Sequence, residues 1–289
     1  MRKPVYAGSF YPKSSHQLSK MIEDCFNSKL GPGALPSVLK KGSPSKPPLK
    51  AIISPHAGYV YSGMAAAWGY LAISQCSLPD VFILLGPNHN SGRSGVSVDT
   101  FETPLGLMRV DHEFMKLLVK KGTISIDEEI HAEEHSLEVQ LPFLQFALGN
   151  RADQAKIVPI LISHDVDPAK LADDLKAAIK ESKKSVTFIV SSDFTHQGPS
   201  YGFIPFKKDI KENISKMDGE LIKFIRKGDF EDFEVSLHET HATVCGALPI
   251  SVLLRTISFD KALLEQYYTS GDVVGDYTNS VSYASIVFR

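Results

Sequence analysis

Short, almost wholly apolar runs alternate with amphipathic stretches along this chain. Residues 49–53, 81–85, 157–162 and 186–190 are short apolar runs of strand length, interrupted only by Lys50 and Thr187, the pattern of β-strands buried on both faces. Between the third and fourth, residues 168–180 repeat apolar groups at helical spacing, so this pair reads as a parallel strand–helix–strand unit. Helical spacing recurs at 15–28, behind Ser14 and Ser15 as caps, and at 136–148, 209–226 and 242–254. Residues 263–268 and 280–288 read as further strands, the last alternating cleanly enough to lie at a sheet edge or on a half-exposed face. A Pro-, Gly-, Ser- and Lys-rich stretch ending at Pro48 reads as a surface loop, with Lys40 and Lys41 as solvated charges. The elements predict an α/β fold, one domain over residues 1–289, with a central, largely buried mixed sheet flanked by helices. No internal repeat or low-complexity tract divides it.

The residues just after the four apolar runs carry the chemistry. AIIS leads to His56, ILLG to Pro87, Asn88 and His89, PILIS to His164 and Asp165, and FIVSS to Asp193 and His196. In open α/β sheets the carboxyl ends of strands line the ligand crevice, so these groups are expected to converge although they are distant in sequence. Neutral imidazole is the commonest metal ligand, and histidines from separate strand ends plus an anionic donor make an open metal site. No HExxH or CxxC pair is present, so spacing leaves open which histidines bind and which metal they hold. The run HAEEHSLEVQ adds Glu133, Glu134, His135 and Glu138, readable from spacing alone either as a charged helix start or as part of the site.

Composition narrows the picture further. A chain of 289 residues, 43% hydrophobic, can bury a full core without disulfides or a structural metal. A net charge of -2 with acids and bases interspersed gives no face for nucleic acid or membrane. No stretch reaches the roughly 18 apolar residues of a membrane span, and the N-terminus lacks the apolar core of a signal peptide, so a cytoplasmic location is expected. Three widely spaced cysteines do not suggest a disulfide framework. Cys25 and Cys76 lie in helix-like segments without polar partners and read as core. Cys245 stands where polar residues give way to an apolar helical run, and placement near a helix N-terminus is expected to lower its pKa and favour the thiolate.

The segments AGSFYP, SPHAGYVYSG, LGPNHN, EEHSLEVQLPF, SSDFTHQG, HATVCGALPISVLL and SVSYASI, in this order over nearly the whole chain, resemble the Memo family. The resemblance implies a fold like that of the class III extradiol dioxygenases, iron enzymes that hold metal through two histidines and a glutamate. It further implies His56 and His89 as metal ligands with Cys245 in the place of the carboxylate. His196, preceded by Asp193, takes the position of the acid–base histidine, while Phe10, Tyr61 and His135 stand at positions lining the ligand pocket. Phe10 replaces a tryptophan of the animal members and Thr195 a cysteine. The expected cofactor is iron(II), with copper or zinc as alternatives. The expected function is a redox-active metal centre, possessing oxidoreductase activity of the dioxygenase type or serving as a non-catalytic pocket. Its expected partners are a small-molecule, peptide or phosphopeptide ligand and a radical-SAM pathway.

Overall fold

The computed structural model describes residues 1–37 and 46–289; Lys40, Lys41 and part of the expected loop lie outside the described residues. Ten strands form one mixed sheet: β1 (Ala51–Ser54), β2 (Val81–Pro87), β3 (Gly95–Val96), β4 (Phe101–Thr103), β5 (Gly106–Val110), β6 (Lys156–Ile162), β7 (Val186–Ser191), β8 (His196–Gln197), β9 (Ala262–Thr269) and β10 (Ser280–Phe288). Their order is β4-β5-β6-β2-β7-β1-β10-β8, with β3 paired to β6 and β9 to β10. β5, β6, β2, β7 and β1 run parallel, and β10 lies antiparallel to β1, β8 and β9.

The four apolar runs are the parallel centre because helices cover both faces and leave no position for polar side chains. Ile52, Ile53, Phe82, Leu84, Ile160 and Ile189 are all fully buried, each contributing about 1.5–3 kcal/mol by leaving water. The expected strand–helix–strand unit is present, but β2 lies between its two strands. Its helix, Pro168–Ser182, begins on Asp167, whose carboxylate accepts from Ala169 N at 2.9 Å, with Pro168 in the first turn.

Two expectations are corrected. β10 is not an edge or half-exposed strand: all nine of its residues are buried. Its alternation comes from serines that are small rather than exposed. Ser285 lies under helix Tyr59–Ser74, where a Cβ at Gly69 would stand 3.1 Å from Ser285 Oγ, so a small residue on each side lets the helix approach. That helix has no polar face, and it carries no amphipathic signal because it is buried almost all round. The amphipathic segment expected at 242–254 begins as a helix only at Ala247, which leaves Cys245 just before its N-cap, Gly246.

Candidate metal centre

β2, β7 and β1 are neighbours in the sheet and parallel, so their carboxyl ends open on one side. His56 follows β1, His89 follows β2, and Asp193 and His196 follow β7. β6 lies one strand further out, and its exit does not join them. His164 is exposed, and Asp165 instead accepts from Ser94 N at 3.0 Å and from Ser94 Oγ at 2.5 Å. Three exits converge where four were expected.

His56 is buried, and its backbone N–H donates to Asp193 Oδ1 at 2.8 Å. Ser191 Oγ donates to Ser136 O at 2.5 Å and accepts from Gln140 Nε2 at 2.8 Å, while Tyr70 O–H donates to Gln140 Oε1 at 2.7 Å. With its one proton committed, Ser191 Oγ can only accept from His56 Nδ1, 2.9 Å away. This fixes the tautomer and leaves His56 Nε2 unprotonated, 3.1 Å from Cys245 Sγ. Burial, reinforced by the neighbouring His135 and His89, holds the His56 pKa well below the usual imidazole range, so the ring is in its neutral, ligating form.

His89 Nδ1 lies 2.9 Å and His135 Nδ1 3.2 Å from the same oxygen, Glu134 Oε1. Burial opposes the charge of Glu134, but hydrogen bonds from His135 and His89 outweigh it and hold the carboxyl far below the usual carboxylate range. The His89 and His135 rings stack at 4.6 Å with 19° between planes, and both meet His56 edge-on at 5.2 and 5.3 Å. One nitrogen from each of His56, His89 and His135 lies within 4.8 Å of the others, a group that could hold a metal ion. The expected ligands His56 and His89 are therefore brought together. His135, expected to line the pocket, stands in the same group.

Cys245 meets the group through His56, with Sγ 3.1 Å from Nε2, and accepts from Asp193 N at 3.2 Å. Its expected thiolate is not favoured. The residue keeps some solvent contact, yet burial of the thiol pushes its pKa well above the usual range, with the Asp193 carboxyl adding to the effect. Bonds from the N–H groups of Asp193 and Gly246 act in the opposite direction and are outweighed. Asp193 is itself pushed up by burial. Cys25 and Cys76 are buried, with Cys25 pushed up to about 12 by burial.

His196 is clamped by Thr243: its N–H donates to Thr243 Oγ1 at 2.9 Å, and its Nδ1 lies 2.9 Å from Phe194 O and 3.0 Å from Thr243 O. Carbonyls only accept, so Nδ1 carries a proton and Nε2 is the nitrogen left for exchange with the crevice. The crevice beside it has a volume of about 430 Å³ and is lined by Phe10, Tyr61, His135, Asp193, His196 and Tyr283 among others. Phe10 packs on His135 at 4.8 Å. A larger, apolar groove of about 660 Å³ beside helix Ser15–Asn27 contains none of the clustered histidines. Sequence reading missed the shared use of Glu134, the Ser191–Gln140–Tyr70 chain behind His56, and Tyr283. The only advance signal was the acidic cluster around His135, which also contains the buried Glu138.

Comparison with known proteins shows the family to which this chain belongs. A sequence model described as Memo-like protein matches residues 2–287. A MEMO1 family protein of Methanopyrus kandleri is 36% identical over 100% of this chain and 99% of its own length. One from Methanococcus maripaludis is 38% identical over 100% and 99%, and one from Metallosphaera sedula 36% over 99% of each. Among solved structures, an uncharacterized protein from Escherichia coli aligns with TM-score 0.49 and 12% identity over 83% of this chain and 100% of that one. With a family match spanning almost every residue and full-length relatives at this identity, the chain belongs to the Memo family.

Proposed function

We propose that the crevice is a redox-active metal centre in which His56 and His89 bind through Nε2 and Cys245 completes the set as a thiolate. Iron(II) is the first choice of metal, with copper or zinc next, because two imidazoles and a soft sulfur suit all three. The observation that carries the reading is the commitment of Nδ1 on both histidines, to Ser191 and Glu134, which leaves both Nε2 atoms for a ligand, with one nitrogen of each ring within 4.8 Å of the other. When bound, any of the three would supply Lewis acidity, and iron or copper would add electron-transfer capacity that zinc lacks. The protonated Cys245 thiol must give up its proton on coordination, so binding releases a proton. His196 Nε2 then faces the crevice as the proton acceptor, and Phe10 and Tyr61 hold a small or peptide ligand by its apolar face. An imidazole placed beside the donors with Nε2 left to exchange a proton favours a metal-dependent oxidoreductase over a pocket that only binds. No described helix is long and apolar enough to cross a membrane.

The test is metal content after anaerobic loading with iron(II). His56→Ala, His89→Ala and Cys245→Ala are each expected to lose most of the bound iron while remaining folded. Full occupancy in Cys245→Ala together with loss in His135→Ala would replace the thiolate by the third imidazole. Full occupancy in every variant would refute the centre.

A further inference from the structure

We propose that Glu134 is the positioning residue of this centre, a single carboxylate that sets the tautomer and orientation of two imidazoles at once. The proposal rests on the reading that His89 binds a metal in this crevice, with His135 stacked beside it, and its principal test does not require one. Glu134 Oε1 lies 2.9 Å from His89 Nδ1 and 3.2 Å from His135 Nδ1, and accepts from Ser136 N at 2.9 Å. Oε2 accepts from His89 N at 2.6 Å and from Asn90 Nδ2 at 3.3 Å. The side chain is 1% exposed. No lysine or arginine forms an ion pair with it among the described residues; Arg2 Nη2 donates to its backbone oxygen instead.

An ionised carboxylate only accepts hydrogen bonds, so its bond to His89 places the proton on Nδ1 and leaves Nε2 to present a lone pair, and the 3.2 Å approach of His135 Nδ1 to the same oxygen favours the same tautomer there. The two rings that meet this oxygen are also stacked near-parallel, with 19° between their planes. A carboxylate behind each imidazole is a common arrangement in metal sites; here one serves both, so a change at Glu134 reaches two rings together. Glutamine has the shape of glutamate but only one acceptor oxygen. If that oxygen faces the rings, its NH₂ opposes the His89 N–H, donor against donor. If the amide turns over, its NH₂ faces both Nδ1 atoms and drives the proton to Nε2, where it blocks coordination.

The experiment uses metal-free protein with ¹⁵N-labelled histidine at about pH 8.5, above the ordinary imidazole range. Imidazole correlation spectra give the tautomer of each ring, and zinc(II) affinity is measured by competition with a chromogenic chelator. In the wild type, both His89 and His135 are expected to be Nδ1-protonated. In Glu134→Gln, at least one ring changes tautomer and zinc(II) affinity falls about 10–100-fold. An Nε2-protonated His89 or His135 in the wild type overturns the proposal, and that spectrum decides the matter even if the variant does not fold. A folded Glu134→Gln with wild-type spectra or wild-type affinity also overturns it. If the wild type binds no zinc(II) and no iron(II), the metal reading fails by itself, while the tautomers still decide whether Glu134 positions the rings.

Discussion

Exchanging Glu138 for glutamine is expected to destabilise the protein by about 3–5 kcal/mol, the usual result of removing one partner from a buried ion pair. Glu138 and Arg2 are 0% and 5% exposed at their side chains and meet at 2.6 Å. The carboxylate also accepts from Val5 N at 3.2 Å, Tyr6 N at 2.9 Å and Tyr11 O–H at 2.6 Å. Glutamine keeps the shape and one acceptor, but its NH₂ opposes either Arg2 and Val5 N or Tyr6 N and Tyr11, leaving buried donors without partners. With an unfolding entropy of about 2.1 cal/mol/K per residue over 289 residues, this corresponds to a fall in Tm of about 5–8 °C. Thermal and urea unfolding of Glu138→Gln, Arg2→Met and the double variant give the assay. The double variant should lose less than the sum of the single ones, because the orphaned charge is then gone. A loss below about 1 kcal/mol in Glu138→Gln, or strict additivity, would refute the account.

Three further outcomes are expected from the site and its surroundings. Because the core is built without metal and the donors stand on loops at strand ends, chelated protein should keep its circular dichroism spectrum and cooperative melting; loss of both would make the metal structural. His196→Ala should retain iron(II) to near the wild-type level but bind crevice ligands more weakly, and iron loss equal to that of His56→Ala would move His196 among the ligands. Burial lowers the His131 pKa to about 4, whereas the unfolded value is about 6.5. The unfolded chain therefore takes up a proton first as pH falls, and stability is lost between these values, by up to about 3 kcal/mol at the lower end; His131→Gln should flatten the pH dependence of urea unfolding in this window, and an unchanged slope would show that His131 does not contribute.

The parallel centre was legible in the sequence because burial on both faces writes itself as short, almost wholly apolar runs. Helix Tyr59–Ser74 was not, since a helix buried all round has no periodicity to betray it, and β10 was misplaced because its serines read as solvent positions. Convergence of His56, His89 and His196 was legible because strand polarity fixes which ends share a rim. Strand order, however, is not written in the local pattern, and His164 was grouped with the others although β6 lies outside β2. For Cys245, proximity to a helix start was right and the direction of the pKa shift wrong. Burial of the sulfur depends on β7 and the loop after it, far away in sequence, and it outweighs what the helix end supplies.

The pairing of β1 with β10 also bears on how the molecule assembles. Ala51 lies opposite Phe288, and Ile53 opposite Ile286, so the strand that carries His56 is completed by residues near the other end of the chain. Such a contact closes a very long loop, and the ordering entropy is lost before the contact returns anything. The parallel strands β2, β6 and β7 can associate over shorter separations, whereas the β1–β10 seam belongs to the late, slow part of folding. His56 would then take its final position after His89. A two-phase refolding experiment, with an early signal from the β2–β6–β7 layer and a later gain of metal-binding capacity, is what this topology implies.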